Sequence, residues 1–227
     1  MAELDRRYEQ TVGRADEAVI DQGLRSYMLR VYNYMASGVA ITGVVAYAVY
    51  AMSVVTGADG SITGLTAFGN LMYASGFKWI VIFAPLAMVF FLSFKIQSLN
   101  VGTAQALFWL FSALMGASIS SIFLVYAGES IARVFFITAA AFGALSLWGY
   151  TTKKDISGWG SFLFMGLIGI ILASIVNLFI GSTALQFAVS VIGVLVFAGL
   201  TAYDTQQIKE MYDVQDDGTV AGKKAVM

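Results

Sequence analysis

From Ile156 to Tyr203 the chain reads ISGWGSFLFMGLIGIILASIVNLFIGSTALQFAVSVIGVLVFAGLTAY, 48 residues without an Asp, Glu, Lys or Arg. A helix needs roughly 20 apolar residues to cross about 30 Å of hydrocarbon. The run therefore holds two spans, hinged near Gly181-Ser182-Thr183. Backbone amides in lipid must bond within their own segment, and the run is too long and too uniformly apolar for barrel strands, which alternate.

Other charge-free stretches extend the pattern. Val31–Ala58, Trp79–Phe94, Ile96–Gly128 and Val134–Thr152 also lack charge. Six helices are expected: 29–52, 76–97, 102–126, 130–150, 160–180 and 184–206. The fold class is all-α, a polytopic transmembrane helix bundle. Residues 1–27 form an N-terminal arm, 28–208 the bundle, and 209–227 a tail. The arm is polar and lacks the apolar core of a signal peptide. Residues 57–77, rich in Gly, Ser and Thr, read as an external loop with a short interfacial helix. The one proline, Pro85, sits mid-span and is expected to kink the second helix.

Composition agrees. Hydrophobic residues make up 59% of the 227 and charged residues 12%, against about 45–50% and about 25% in soluble domains. Mean hydropathy is +0.78. One water-facing globule could not bury so much apolar surface. Lys and Arg set the orientation. Arg6, Arg7, Arg14, Arg25 and Arg30, Lys95, Lys153 and Lys154, and Lys209, Lys223 and Lys224 fall on one side, against Lys78 and Arg133 on the other. The N-terminus is expected in the cytoplasm.

The absence of His and Cys excludes His-based triads, Cys nucleophiles, disulfides, thiolate zinc, iron–sulfur clusters and His-ligated haem. Phosphate-binding glycine loops are missing too. Net charge of −1 argues against nucleic-acid binding. An intramembrane aspartyl protease needs two carboxylates together. Tyr203-Asp204 supplies half of such a pattern, with no second aspartate in another span. Neither an enzyme nor a cofactor is indicated.

Few side chains are left for chemistry. Asp204 follows the 48-residue run at the end of the sixth helix. A carboxylate at membrane depth is costly when ionised and functional by default. Desolvation disfavours its charge and a nearby cation restores it, so such a group can respond to pH. Lys95 ends the second helix on the same side; it either snorkels to water or pairs with Asp204. Asn177 is an interhelical hydrogen-bonding candidate. Glu129 with Arg133, and Lys209 with Asp213, have helix-surface ion-pair spacing. Small residues at 113, 117 and 121, at 116 and 120, and at 166 and 169 suit close helix packing.

The segment Ala202-Tyr203-Asp204-Thr205-Gln206-Gln207-Ile208 resembles the Bax inhibitor-1 family, the transmembrane Bax inhibitor motif family, in its bacterial branch. Thr103–Trp109, Leu114–Ser118, Ser121–Tyr126 and Ser174–Phe179 support the resemblance, which runs from about residue 20 to the end. It implies a seven-helix bundle and a pH-sensitive calcium leak closed by two aspartates and a basic residue after helix two. Asp204 matches the helix-six aspartate, and Lys95 falls where that basic residue, often Arg, stands. Lys keeps the charge but loses the planar fork. The chain stops at Met227 where the seventh helix would begin; either the chain is truncated or the protein lacks that helix, and in both cases the second aspartate is missing from this sequence. The family's paired-carboxylate latch therefore does not carry over whole.

The reading that follows is a pH-gated calcium leak in a bacterial inner membrane. Asp204 and Lys95 are the gating groups. No metal site is fixed, and Asp204 is a transient calcium contact, since calcium prefers oxygen ligands. The alternative is a non-conducting interaction protein that binds a membrane-bound quality-control protease through its arm. Membrane lipid is the common partner of both.

Overall fold

The computed structural model describes the backbone of residues 2–58, 61–95, 98–126, 128–213 and Lys224, with side chains from Gln22 onward. Eight α-helices are described: α1 (Ala2–Ser53), α2 (Ala67–Gly69), α3 (Phe77–Lys95), α4 (Val101–Ile119), α5 (Ile122–Val125), α6 (Gly128–Thr151), α7 (Trp159–Ile180) and α8 (Thr183–Glu210). Six stretches among the described residues are helical, long and apolar enough to cross a membrane: Gln22–Ser53, Phe77–Lys95, Val101–Val125, Gly128–Thr151, Trp159–Ile180 and Thr183–Glu210. The protein is an all-α, multi-pass membrane protein. Large apolar side chains point outward, Phe162 at 77% exposure and Phe179 at 87%. In water such a surface would aggregate; in lipid it is the solvated face.

The expected boundaries shift where polar side chains intervene. α1 begins far before residue 29 and continues the arm into the first span as one helix. The third span breaks after Ile119. Ser120 donates its hydroxyl to the Ala117 carbonyl at 2.7 Å, the back-bonding by which Ser competes with helix propagation. α8 runs past residue 206 to Glu210. Pro85 lies buried within α3, which is helical on both sides of it. The stretch 57–77, expected as a loop with a short helix, holds the short helix α2 and also a strand that pairs with one just before it. β1 (Val54–Thr56) pairs antiparallel with β2 (Ile62–Leu65), Val54 opposite Leu65 and Val55 opposite Gly64. β-Branched Val54, Val55, Thr56, Ile62 and Thr63 favour that conformation. A lone two-stranded hairpin is marginal in water, and this one is tied to α1. Thr66 donates through its backbone N to the Ser53 carbonyl at 3.0 Å and through its hydroxyl to the Met52 carbonyl at 2.8 Å. The last two carbonyls of α1, Met52 and Ser53, are thereby satisfied.

The chain divides into two compact units, one running through Ile131 and the other Ala132–Asp213. In the first, α1 packs on α4. The seam on α4 is Ala104, Phe108, Ser112, Gly116 and Ser120, every fourth residue. Ala104 and Ser120 are fully buried, and Ser112 and Gly116 are buried as well. Of the two small-residue rows expected in this span, the one through Gly116 and Ser120 is the buried one: Gly116 meets α1, and Ser120 accepts from the Tyr73 hydroxyl at 3.0 Å. Ala117 instead lines a cavity with Val81 and Ile82 of α3. A Cβ on Gly116 would lie 2.5 Å from the Thr42 carbonyl oxygen. Thr42 in turn donates its hydroxyl to the Ser112 carbonyl at 2.9 Å. Helix backbones approach this closely only where one side has no side chain.

In the second unit α7 and α8 form an antiparallel pair. Gly181, φ +65°, ends α7 in the left-handed region that glycine enters without steric cost. Ser182 caps α8 by accepting from Leu185 N at 3.2 Å. Gly199 faces Leu163, and Gly166 faces Val196; Gly169 meets nothing within 4 Å, so only the first of that expected glycine pair packs.

Gly116→Ala is expected to lower the melting temperature in detergent, an overpacking cost of about 1–3 kcal/mol. Gly43→Ala, where a Cβ meets nothing within 4 Å, is expected to be neutral or stabilising by up to about 1 kcal/mol. Equal melting of the two variants would contradict the seam.

Candidate functional site

The end of α8 carries the chemistry-bearing residues, and each side chain of Ala202–Gln206 has a distinct placement. Ala202 is buried, and its carbonyl oxygen would lie 2.5 Å from a Cβ on Gly149 of α6. Thr205, also buried, has its Cβ 3.1 Å from the same point. Tyr203 lies over Gly160 of α7, where a Cβ would come within 2.6 Å of the phenol. Small residues on α6 and α7 thus let α8 approach on two sides.

Gln206 fixes the α6–α7 connection. Its Oε1 accepts from Ile156 N at 2.9 Å and its Nε2 donates to the Lys154 carbonyl at 2.9 Å. Both ends of one buried carboxamide are used, and two loop backbone groups are satisfied at once. Ile156 is 2% exposed, so an unpaired amide there would be costly. One turn on, Lys209 Nζ donates to the Tyr150 carbonyl at 3.0 Å and lies 5.4 Å from the centroid of the Tyr150 ring. A cation near the last carbonyls of α6 also complements the helix dipole. Lys209 was expected to pair with Asp213 along its own helix, and its described bond goes to α6. Neither Gln206 nor Gly149 was singled out in the sequence; the row of polar residues after Asp204 was the visible signal.

The loop itself is braced by Asp155. Its Oδ1 accepts from Ser157 Oγ at 2.5 Å and from Ser157 N at 2.9 Å. The side-chain bond first, then the backbone bond, holds this exposed carboxyl below its usual range. Its brace on the loop is therefore present above the ordinary carboxylate range and fades as pH falls through the depressed value.

Asp204 lies between these anchored residues and faces away from them. It is exposed, and within its unit the carboxylate takes no described hydrogen bond or ion pair. Lys95 is the exposed last residue of α3, in the other unit. Asn177 does not join Asp204. It sits near the opposite end of α8, where its Oδ1 accepts from Ser182 N at 3.0 Å. Expected as an interhelical contact, its described bond is to the turn backbone, which needs an acceptor there because α8 has not yet begun. Among the described residues no group of three or more His, Cys, Asp or Glu side chains is placed to hold a metal ion.

Gln206→Leu is expected to speed amide exchange at Ile156 by about tenfold or more, following from about 1–3 kcal/mol per orphaned buried group. Exchange at Gly169, in the middle of α7, is expected to stay unchanged. An unaltered Ile156 rate would mean the carboxamide does not hold the loop.

A family profile described as Inhibitor of apoptosis-promoting Bax1 matches residues 24–225. The inner membrane protein YbhL of Escherichia coli strain K12 is 49% identical over 189 residues, 83% of this chain and 76% of that protein. An uncharacterized protein of Caulobacter vibrioides is 46% identical over 214 residues, 93% of this chain and 84% of its own length. One from Rickettsia prowazekii is 45% identical over 207 residues, 91% and 82% respectively. The matched region takes in all six spans and the Asp204 segment together, and the chain belongs to the Bax inhibitor-1 family of membrane proteins.

Proposed function

We propose that this protein is a pH-sensitive cation leak of a bacterial inner membrane, with calcium as the ion and Asp204 as the gating group. The observation that carries the reading is the placement of Asp204. It is a carboxylate within the last span, six residues before the end of α8, without a described partner in its unit, on a stretch of helix held by Gln206 and Lys209. An ionised group there needs a donor or a cation. The titratable residues on its own stretch of α8 and on the segments bonded to that stretch are Tyr203, Lys209 and Glu210 on α8, Tyr150 on α6, and Lys153, Lys154 and Asp155 on the loop. In the closed state the donor is Lys95. Protonation of Asp204 removes that attraction and shifts the closed–open equilibrium toward conduction. Calcium passes as cargo, favoured by carboxylate and carbonyl oxygens. The name of the Escherichia coli relative supports the inner membrane; the Lys and Arg bias supports a cytoplasmic N-terminus.

Calcium entry into proteoliposomes is expected to rise as pH falls. Asp204→Asn, neutral at every pH, is expected to give an elevated flux that no longer varies with pH, and Lys95→Ala to raise the flux near neutrality. Identical flux and pH profiles for Asp204→Asn and wild type would remove the gating role.

A second reading rests on α1. A helix of 52 residues is about 78 Å long at 1.5 Å per residue, well beyond the roughly 30 Å of hydrocarbon. The excess at its N-terminal end is a handle for a protein partner, and a membrane-bound quality-control protease is the proposed one. Deleting residues 1–24 is expected to abolish co-purification with such a protease while calcium flux persists. Retained co-purification would exclude the arm as the handle.

A further inference from the structure

Arg30 is the last charge before the apolar part of the first span, at the boundary where helices pass from headgroups into hydrocarbon. It lies on one face of α1 with Ser26, Asn33 and Ser37, residues spaced four, three and four apart. With Leu29, Tyr34 and Trp109 of α4, these residues line a groove of about 500 Å³. No acid lines it. The walls are preset. Gln105 Nε2 donates to the Tyr34 hydroxyl, and Trp109 Nε1 lies 3.5 Å from Ser37 Oγ. The two serine hydroxyl protons are committed, Ser26 to the Gln22 carbonyl at 2.9 Å and Ser37 to the Tyr34 carbonyl at 2.8 Å. Besides the Tyr34 hydroxyl proton, which its bond from Gln105 does not use, the open donors are the Arg30 guanidinium and the Asn33 amide. Both are exposed, and neither has a described hydrogen bond or ion pair among the described residues.

We propose that this groove holds the headgroup of an anionic phospholipid, its phosphodiester on Arg30 and Asn33. A guanidinium presents paired N–H donors that match phosphate oxygens. The groove spans twelve residues of α1, Ser26 to Ser37, about 16 Å along the axis, from headgroup depth to the indole of Trp109. A free anion would fill only the Arg30 end. A lipid fills both, its glycerol and first methylenes lying on Trp109 and Leu29, 43% and 56% exposed. Anionic lipid is favoured over zwitterionic because the groove offers a guanidinium to the phosphodiester and no carboxylate that would accept a choline ammonium. The leaflet is the one on the side where α1 begins.

The test uses the full chain purified in a nonionic detergent, with native mass spectrometry and thermal shift as readouts. Phosphatidylglycerol is expected to bind saturably and raise the melting temperature, while phosphatidylcholine and inorganic phosphate do neither. Arg30→Gln is expected to weaken phosphatidylglycerol binding about tenfold, and Arg25→Gln to leave it unchanged. Asn33→Leu, at an exposed position, is expected to weaken binding about threefold and serves if Arg30→Gln does not fold. The proposal is overturned by wild-type affinity in Arg30→Gln, or in Asn33→Leu where only that variant folds. Equal losses from Arg25→Gln and Arg30→Gln, equal binding of phosphatidylcholine, or the same shift with inorganic phosphate would overturn it as well.

Discussion

Lipid offers a backbone amide no partner, and the whole described structure answers to that constraint. Inside each span the answer is the helix itself. Where a helix stops, a specific side chain or backbone group must take over. Thr66 supplies it for the end of α1, Asn100 for the start of α4, where its Oδ1 accepts from Thr103 N at 2.8 Å, and Asn177 and Ser182 for the α7–α8 turn. Gln206 does the same for the loop between α6 and α7. These polar residues are few, and nearly every one in a described turn has a backbone group to satisfy.

With no hydrophobic drive between helices in lipid, contact depends on close approach. Both units use one device for it. Gly116 meets the backbone of Thr42, and Gly149 meets the backbone of Ala202. The pairs differ in what lies beside them. Thr42 adds a hydroxyl bond to Ser112, which locks α1 to α4. Ala202 is followed by Tyr203, Thr205 and Gln206, which pack or bond, and by Asp204, which does neither within its unit. A helix stretch held so firmly around a carboxylate presents that group in a defined direction.

The spans were legible because charge is excluded from hydrocarbon so strongly that charge-free runs mark them. The α7–α8 turn was legible for the same reason, since Gly181-Ser182 interrupts a run long enough for two helices. Less could be read where single hydrogen bonds decide. The break at Ser120 and the hairpin at Val54–Leu65 depend on serine back-bonding and on a Thr66 contact to α1, and neither leaves a mark in hydropathy. At the candidate site Asp204 stood out as a charge. Gln206 did not, because an amide's importance lies in which two backbone groups it reaches, and those lie 50 and 52 residues away. Likewise two rows of small residues on α4 look alike in sequence, and only the partner helix distinguishes them.

The turn at Gly181-Ser182 bears on how the chain enters the bilayer. It carries no charged side chain, and α7 and α8 are paired in the half away from it through Leu163, Gly166, Val196 and Gly199. No charge on its tip resists passage through hydrocarbon, and Asn177 and Ser182 already pair the backbone amides of Gly181, Ser182, Leu185 and Gln186. The two helices are therefore suited to insertion as a preformed hairpin, crossing and returning in one step.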